Sequence, residues 1–169
     1  ISRVVGLQGL GRRRTGKGRD VLSGGREMSD FSSSPPILLV EDNQNDIDLT
    51  IYAFSKANFV NPIEVCRDGV EVIERMEGWE SGSRKPLCVL LDINTPKING
   101  FEALVLLKQK FPAIPVIMLT SSSEPVDIQR AYNLGANSYI VKPVELDKFL
   151  EIAKQIKLYW VMMNIPGEK

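Results

Sequence analysis

Short apolar runs alternate along this chain with longer stretches in which apolar residues recur every three or four positions. Apolar runs bounded by turn residues are typical of buried strands, and the longer periodic stretches are typical of amphipathic helices. The periodic stretches predict a helix after each strand, the first at about 46–58 and the last at about 145–163, with a polar loop at Gly78–Pro86. The apolar runs predict five strands, which are Ile37–Val40, Ile63–Cys66, Leu87–Leu91, Val116–Leu119 and Ser138–Val141.

Five repeats of a strand followed by a helix specify the fold class. Strands that alternate with helices form a parallel sheet through right-handed crossovers, with helices on both faces. We therefore predict an α/β, flavodoxin-like (βα)5 fold, which is a doubly wound parallel sheet with strand order 2-1-3-4-5. In such a sheet the carboxyl ends of the strands lie along one edge, and ligands bind there.

Residues 1–34 lack this periodicity and are rich in Gly, Arg and Ser. We predict that they form a basic tail that is disordered or derived from upstream sequence, and that residues 35–169 form one folded domain. Met28, followed by Ser, Asp and Phe, would make a natural start. Residues 1–27 carry seven basic and two acidic residues, a net charge of +5, so the rest of this neutral chain has a net charge of −5. An acidic folded domain argues against nucleic-acid binding by it.

The composition excludes several kinds of site. The chain has no histidine, which rules out Ser-His-Asp and Cys-His triads and histidine zinc sites in this sequence. Cys66 and Cys88 both fall in predicted strands, where we expect small buried side chains, and free thiols suit a reducing cytoplasm. No run of about 18 apolar residues occurs, so we expect no membrane span.

Side chains that can react or bind ions follow four of the five predicted strands. Glu41 and Asp42 follow the first strand, Asp92 the third, Thr120 the fourth and Lys142 the fifth. Strands one, three, four and five are consecutive neighbours in the predicted order, and adjacent strands lie about 4.8 Å apart. We therefore expect these five side chains to converge on one small site.

The chemistry of this set favours phosphoryl transfer. Three carboxylates repel one another, and a hard cation such as Mg²⁺ relieves that repulsion. Lys142 adds a positive charge and Thr120 a hydroxyl donor, so Asp92 is predicted to be a nucleophile that forms an acyl phosphate. Taken singly, each residue has a simpler interpretation: Asp92 as a turn or cap residue, the acid pair and Thr120 as helix caps, and Lys142 as a solvated side chain. Their joint occurrence at strand ends favours the site.

At these residues the sequence resembles the response-regulator receiver domains, the CheY-like family, over about residues 36–165. The resemblance implies that Asp92 accepts a phosphoryl group from a kinase phosphohistidine, and that Thr120 and Lys142 contact the phosphoryl oxygens. It implies that Asp42, Asp92 and the backbone carbonyl of Asn94 bind Mg²⁺, with Glu41 holding a metal-bound water. The motifs that carry it are Ile37–Asp42, Leu90–Pro96, Leu119–Ser121, Gly135–Ala136 and Tyr139–Pro143.

Further expectations follow from the same resemblance. Tyr139 is implied to be the switch aromatic that rotates as Thr120 moves, and the Lys142–Pro143 bond is expected to be cis. Asn94 and Ser122 are expected to tune the lifetime of the phosphoryl group. Thr95 stands where the family usually has Met or Leu, so we expect a changed contact there without loss of function. The loop at Gly78–Pro86 is longer than in the chemotaxis member of the family.

The end of the chain points to partners. Leu158–Pro166 resembles the subgroup that partners bacterial phytochromes, so we expect a sensor histidine kinase, of phytochrome type, as phosphoryl donor. Tyr159–Met163 is an unbroken apolar run, more than one helical face can bury, which predicts either a homodimer or partner surface or a frayed helix end. We expect a cytoplasmic single-domain response regulator that signals through protein contact and is not a turnover enzyme.

Two alternatives remain from the sequence. A Mg²⁺-dependent phosphatase of the haloacid-dehalogenase type also uses an aspartate nucleophile, but it usually has a second acid two residues later, where this chain has Asn94. A degenerate receiver would act only as a binding module, and the intact set of five strand-end residues argues against it.

Overall fold

The computed structural model describes residues 34–164, and the predicted tail, apart from Ser34, lies outside them. The described part alternates strands and helices throughout, as predicted. The strands are β1 Ile37–Val40, β2 Ile63–Cys66, β3 Cys88–Leu91, β4 Val116–Thr120 and β5 Ser138–Val141. The helices are α1 Gln44–Lys56, α2 Gly69–Glu80, α3 Gly100–Lys110, α4 Pro125–Asn133 and α5 Leu146–Ile156, and α5 continues as a wider π-helical segment, Lys157–Met163.

All five strands are parallel and lie in the order β2-β1-β3-β4-β5, which confirms the predicted topology. Val40 of β1 pairs with Leu91 of β3, so the residues that follow them, Glu41 and Asp92, leave the sheet side by side. Thr120 of β4 pairs with Val141 of β5. The register therefore brings the carboxyl ends of β1, β3, β4 and β5 to one edge.

Alternate residues of the central strands point into two separate hydrophobic layers. On β3, Val89 and Leu91 belong to the layer covered by α2, α3 and α4, whereas Cys88 and Leu90 belong to the layer covered by α1 and α5. A strand buried on both faces needs apolar residues at every position, which explains the unbroken apolar runs in the sequence. Both cysteines are buried and free, and burial raises the pKa of each thiol to about 12, which suits inert core side chains.

The boundary after α2 differs from the prediction. The polar loop expected from Gly78 begins only at Ser81, because α2 continues to Glu80. Trp79 explains the extension, since its side chain is buried against the edge of the Phe111 ring, with the ring centroids 5.4 Å apart. Burial of one large aromatic side chain therefore outweighs the polar character of its neighbours.

The last helix ends with a change of pitch. Across Lys157–Met163 the backbone takes the π-helical form, and the N–H of Asn164 donates to the carbonyl of Tyr159, five residues earlier, at 2.7 Å. Trp160 packs against the layer that contains α1 and α5, while its neighbour Tyr159 stays exposed. None of the helices between residues 34 and 164 has the length and apolar character needed to cross a membrane.

Candidate functional site

Backbone hydrogen bonds fix the residues that leave the sheet at its carboxyl edge. The Glu41 N–H donates to the carbonyl of Cys66 at 2.9 Å, and the Asp92 N–H donates to the carbonyl of Val40 at 3.1 Å. The Lys142 N–H donates to the carbonyl of Thr120 at 2.8 Å. Each bond extends a strand ladder by one residue, so the polar side chains begin where the rigid sheet stops.

The ammonium group of Lys142 lies among three carboxylates. Its Nζ donates to a side-chain oxygen of Glu41, to Asp46 at 2.8 Å and to Asp92 at 3.1 Å. The side chains of Lys142, Glu41 and Asp92 are 10%, 2% and 7% exposed, whereas that of Asp46 is 37% exposed. The pocket formed by these four residues, called the acidic pocket below, therefore has a formal net charge of −2 and two buried carboxylates.

Charge and burial compete in setting the ionisation of this pocket. Burial alone would lower the pKa of Lys142, but its hydrogen bonds to Asp46 and Glu41 and the charge of Asp92 hold that pKa above its ordinary value. Burial raises the pKa of the Glu41 carboxyl, and Lys142 offsets only part of this shift. Lys142 is therefore the counterion that keeps the pocket charged.

The peptide bond after Lys142 corrects one expectation. Residues 34–164 contain no cis peptide bond, so the predicted cis form of Lys142–Pro143 is wrong. A trans bond before proline is favoured by about 0.5–1 kcal/mol. The hydrogen bond from the Lys142 N–H to β4 already directs the lysine towards Asp92.

The loop from β3 to α3 orients Asp92 from its other side. The Asn94 N–H donates to Oδ1 of Asp92 at 3.4 Å, while the Gly100 N–H donates to the carbonyl of Ile93 at 2.9 Å and holds the start of α3 against the loop. The Thr95 hydroxyl is buried and donates to the carbonyl of Ile98 at 3.0 Å. This bond is a contact that Met or Leu at that position would not make.

Asn99 and Asp68 stabilise the far side of this loop. The Asn99 and Glu102 side chains form a capping box at the start of α3. Asp68 caps α2 and pairs with Lys97 at 2.6 Å, where the lysine backbone has a positive φ of 64°. The loop that carries Asp92 is thus anchored to two helix N-termini.

A second chain of contacts joins Thr120 to Tyr139. Thr120 is fully buried, and its Oγ1 accepts from the Ser122 N–H at 3.4 Å. The Tyr139 hydroxyl donates to the carbonyl of Ser122 at 3.0 Å, and the Ser122 hydroxyl donates to Asp127 at 2.6 Å. Ser122 therefore connects the end of β4, the start of α4 and the half-buried aromatic residue of β5.

Asp42 and Asn94 lie at the exposed rim of the edge. The Asp42 side chain is exposed, and its backbone carbonyl accepts from Arg67 at 3.5 Å. No three His, Cys, Asp or Glu side chains within residues 34–164 are grouped so that they could hold a metal ion as they stand. The donor set nevertheless fits a hard divalent cation, because carboxylate and carbonyl oxygens are its preferred ligands and the pocket carries excess negative charge.

Asp46 is a member of the pocket that the sequence analysis missed. It is the third residue of α1, whose N-cap is Asn43. The available signal was an acid one helical turn after Asp42, on a helix that begins at the acidic edge. The sequence predicts the start of α1 near residue 46, whereas the helix begins at Gln44.

Replacing Lys142 tests the counterion role of its ammonium group. In metal-free buffer at about pH 7.5 we expect Lys142→Met to lower the free energy of unfolding by about 2–3 kcal/mol, because Glu41 and Asp92 then remain buried without their partner. The comparison is a urea unfolding titration, with Lys148→Met as the control, since Lys148 pairs with Glu145 on the surface.

The loss in the free energy of unfolding caused by Lys142→Met should depend on pH. Lys142 lowers the pKa of Glu41, so its removal raises that pKa further above the ordinary value of 4.5. A group whose pKa is raised on folding contributes stability below its unfolded pKa and loses that contribution as pH rises through the folded value. The difference between wild type and Lys142→Met should therefore shrink at about pH 5. A difference that stays constant or grows on acidification would contradict this account.

Residues 37–154 match the family model of the response regulator receiver domain. A probable methanogenesis regulatory protein, FilR2 of Methanothrix harundinacea, is 39% identical over 131 residues, which are 76% of this chain and 84% of that protein. Response regulator Rcp1 of Synechocystis is 32% identical over 139 residues, which are 79% of this chain and 95% of that protein.

Solved structures extend the likeness to the fold. The phosphorylated cyanobacterial phytochrome response regulator RcpA is similar with a TM-score of 0.73 and 33% identity, covering 80% of this chain and 100% of that one. The Mn²⁺-bound form of Rcp1 is similar with a TM-score of 0.71 and 29% identity, also covering 80% of this chain and 100% of that one. The likeness therefore spans the full length of both solved chains.

Proposed function

This chain belongs to the response-regulator receiver domain family of two-component signalling, and from that premise we propose that Asp92 is its phosphoryl acceptor. The observation that supports this most strongly is the 3.1 Å contact between Nζ of Lys142, just after β5, and Oδ2 of Asp92, just after β3, with Thr120 ending the strand between them. An ammonium beside a carboxylate, with a hydroxyl at the end of the strand between them, suits attack on a phosphoryl group.

In the proposed step a phosphoryl group moves from a phosphohistidine to Asp92. A carboxylate oxygen of Asp92 attacks the phosphorus of a phosphohistidine, the P–N bond breaks, and the electron pair returns to the imidazole nitrogen. Asp92 then carries a mixed acyl phosphate. Lys142, already beside Asp92, would balance the negative charge of the transferred group, and we propose that the Thr120 hydroxyl donates to one of its oxygens.

A divalent cation completes the proposed site. Asp42, Asp92 and the carbonyl of Asn94 would hold Mg²⁺, with Glu41 acting through water, and the ion would supply positive charge to the phosphoryl oxygens. The excess negative charge of the acidic pocket supports this assignment. Glu41 and Asp92 both contact Lys142, so they must share their oxygens between the lysine and the ion.

Tyr139 is proposed to report the state of the site. Its hydroxyl donates to Ser122, two residues beyond Thr120, so a movement of Thr120 reaches the tyrosine through the loop that links β4 and α4. Rotation of Tyr139 would change the surface formed by α4 and β5. The resulting protein contact would be the output, and the chain would act as a phosphoacceptor and not as a turnover enzyme.

The test is incubation with acetyl phosphate and Mg²⁺, followed by intact-protein mass spectrometry. We expect one phosphoryl group per chain, stable in acid and labile in base, and none when EDTA removes the metal. Repeated turnover of several phosphoesters would instead support the haloacid-dehalogenase type of phosphatase. No label at all would support a degenerate receiver and contradict the proposal.

We further propose that a sensor histidine kinase of phytochrome type is the donor. The support is similarity to RcpA, described as a cyanobacterial phytochrome response regulator, and to Rcp1. Transfer from an autophosphorylated phytochrome kinase should be faster than transfer from an unrelated histidine kinase. Equal rates from both would contradict this assignment.

We also propose that the last helix joins two copies of the chain. Leu158, Tyr159, Met162 and Met163 are each between 53% and 68% exposed, a larger apolar area than a helix end needs for its own packing. Of these four, Tyr159 lines a groove of about 420 Å³ between β5 and α5, which Ile140 also helps to line. A self-associating face would cover both features.

Sedimentation velocity tests this dimer directly. We expect wild type to sediment as a dimer at micromolar concentration and Leu158→Glu/Met162→Glu as a monomer, because each glutamate would put a charge into an apolar contact. Val60→Glu, which adds a charge at an exposed valine outside the last helix, is the control. Monomeric wild type, both with and without phosphorylation, would overturn the proposal.

A further inference from the structure

Every hydrogen of the Lys142 ammonium group is engaged by a carboxylate. A lysine side chain has three N–H donors and no acceptor, and here the three acceptors are Glu41, Asp46 and Asp92. Two of these acceptors are buried residues that the proposed function assigns to the metal and the phosphoryl group. Asp46 has no such assignment, and it is the most exposed of the three.

The position of Asp46 is fixed by its backbone. Its N–H donates to Oδ1 of Asn43 at 3.3 Å, and its carbonyl accepts from the buried Thr50 hydroxyl at 2.7 Å. An acid in the first turn of a helix often serves only the helix dipole. At this helix the capping is done by Asn43, and the Asp46 carboxylate instead lies 2.8 Å from Lys142.

Asp46 can affect the competition between Lys142 and a divalent cation for the buried carboxylates of the acidic pocket. Glu41 and Asp92 are partners of Lys142 in the structure, and under the proposed function they also serve the divalent cation. An ammonium that binds them fully neutralises them and weakens their attraction for a second cation. A third carboxylate on the solvent side draws the ammonium towards itself and leaves more negative charge on the buried pair.

We propose that Asp46 is a positioning residue that holds the Lys142 ammonium on the solvent side of the acidic pocket, so that Glu41 and Asp92 can bind a divalent cation while the lysine stays within reach of Asp92. The inference rests on the proposed function, because it takes the metal assignment from there. It adds a role for a residue that makes no proposed contact with either metal or phosphoryl group.

Calorimetric titration with Mg²⁺ of the full chain, without any phosphoryl donor, tests this role. We expect Asp46→Asn to weaken Mg²⁺ binding about fivefold, since the amide keeps the shape of the side chain and loses the charge that holds the ammonium. The matched control is Asp48→Asn, which removes the same charge two residues later on α1, where the carboxylate contacts only Gln44 among the contacts seen in residues 34–164. This control should stay within about twofold of wild type.

A double-mutant cycle separates action through Lys142 from direct attraction between Asp46 and the ion. In a Lys142→Met background, Asp46→Asn should weaken Mg²⁺ binding no more than Asp48→Asn does in that same background. The same weakening in both backgrounds would overturn the proposal, because Asp46 would then act on the ion by itself. An effect of Asp46→Asn equal to that of Asp48→Asn in the wild-type background would overturn it as well.

One further variant and one separate assay complete the test. Asp46→Glu keeps a carboxylate near the lysine and should restore Mg²⁺ affinity to within about twofold of wild type, a measurement that does not need Lys142→Met to fold. Failure of this rescue would count against the proposal. Phosphorylation of wild type by acetyl phosphate is measured independently, so a chain that binds Mg²⁺ as expected but takes no label would refute the proposed function alone.

Discussion

Asp92→Asn is expected to reduce phosphoryl labelling by acetyl phosphate at least about a hundredfold, to the level of background. The amide is nearly isosteric with the carboxylate, and its one oxygen can still accept from either Lys142 or the Asn94 N–H, but an amide oxygen is a poor nucleophile. We expect neither of the neighbouring acids, Glu41 and Asp46, to take its place as the acceptor. The measurement is intact-protein mass spectrometry after identical incubations of variant and wild type.

Asp48→Asn is the control for this result, since it makes the same substitution on the exposed face of α1. It should label like wild type. Circular dichroism and urea unfolding should show that Asp92→Asn is folded, and a small gain in stability is expected because one buried negative charge is removed from the acidic pocket. Labelling of Asp92→Asn at the wild-type level would mean that another residue is the acceptor.

The strand-end residues were predictable because a parallel sheet leaves few choices. Once the alternation of strands and helices specifies a parallel sheet, each residue that follows a strand must lie at the same edge as its counterparts. The register then brings Glu41 beside Asp92, since Val40 pairs with Leu91. The contact of Lys142 with Asp92 follows from the same logic, because Lys142 is the first residue after β5.

Asp46 was not predictable in the same way. Whether a side chain of α1 reaches a lysine after β5 depends on where the helix begins and on its rotation about its own axis. With Asn43 as its N-cap, α1 begins two residues earlier than the apolar spacing suggested, and the Asp46 side chain in its first turn faces the acidic pocket. Apolar periodicity identifies the buried face of a helix but does not report which polar residue faces a neighbouring site.

Two other differences have similar causes. The end of α2 was misplaced because one buried indole, Trp79, outweighed the polar residues around it. The π-helical pitch of Lys157–Met163 has no signature in the spacing of its residues, since nearly all of them are apolar and any helical period fits. For Trp79 the deciding contact comes from Phe111, which is distant in sequence.

Gly100→Ala is expected to cost about 3 kcal/mol or more in the free energy of unfolding, the largest loss that we predict for a single methyl group in this chain. A Cβ at residue 100 would lie 2.0 Å from the carbonyl oxygen of Asp92 and 2.8 Å from Cα of Ile93. Both atoms belong to the backbone and cannot move aside as a side chain would. Relief of the clash requires a shift of α3 or of the loop that carries Asp92, so the variant should also label poorly with acetyl phosphate.

Gly78→Ala is the matched control, because it adds the same methyl group inside α2 where the nearest atoms, in the side chain of Ser83, lie at 3.4 and 3.7 Å. There the methyl group has room, and alanine favours the helix, so a gain of about 0.5–1 kcal/mol is expected with normal labelling. Urea unfolding of both variants under the same conditions gives the comparison. A free energy of unfolding for Gly100→Ala within about 1 kcal/mol of the wild-type value would show that α3 does not pack directly on the backbone of Asp92. The rigid support that we assign to the nucleophile would then be absent.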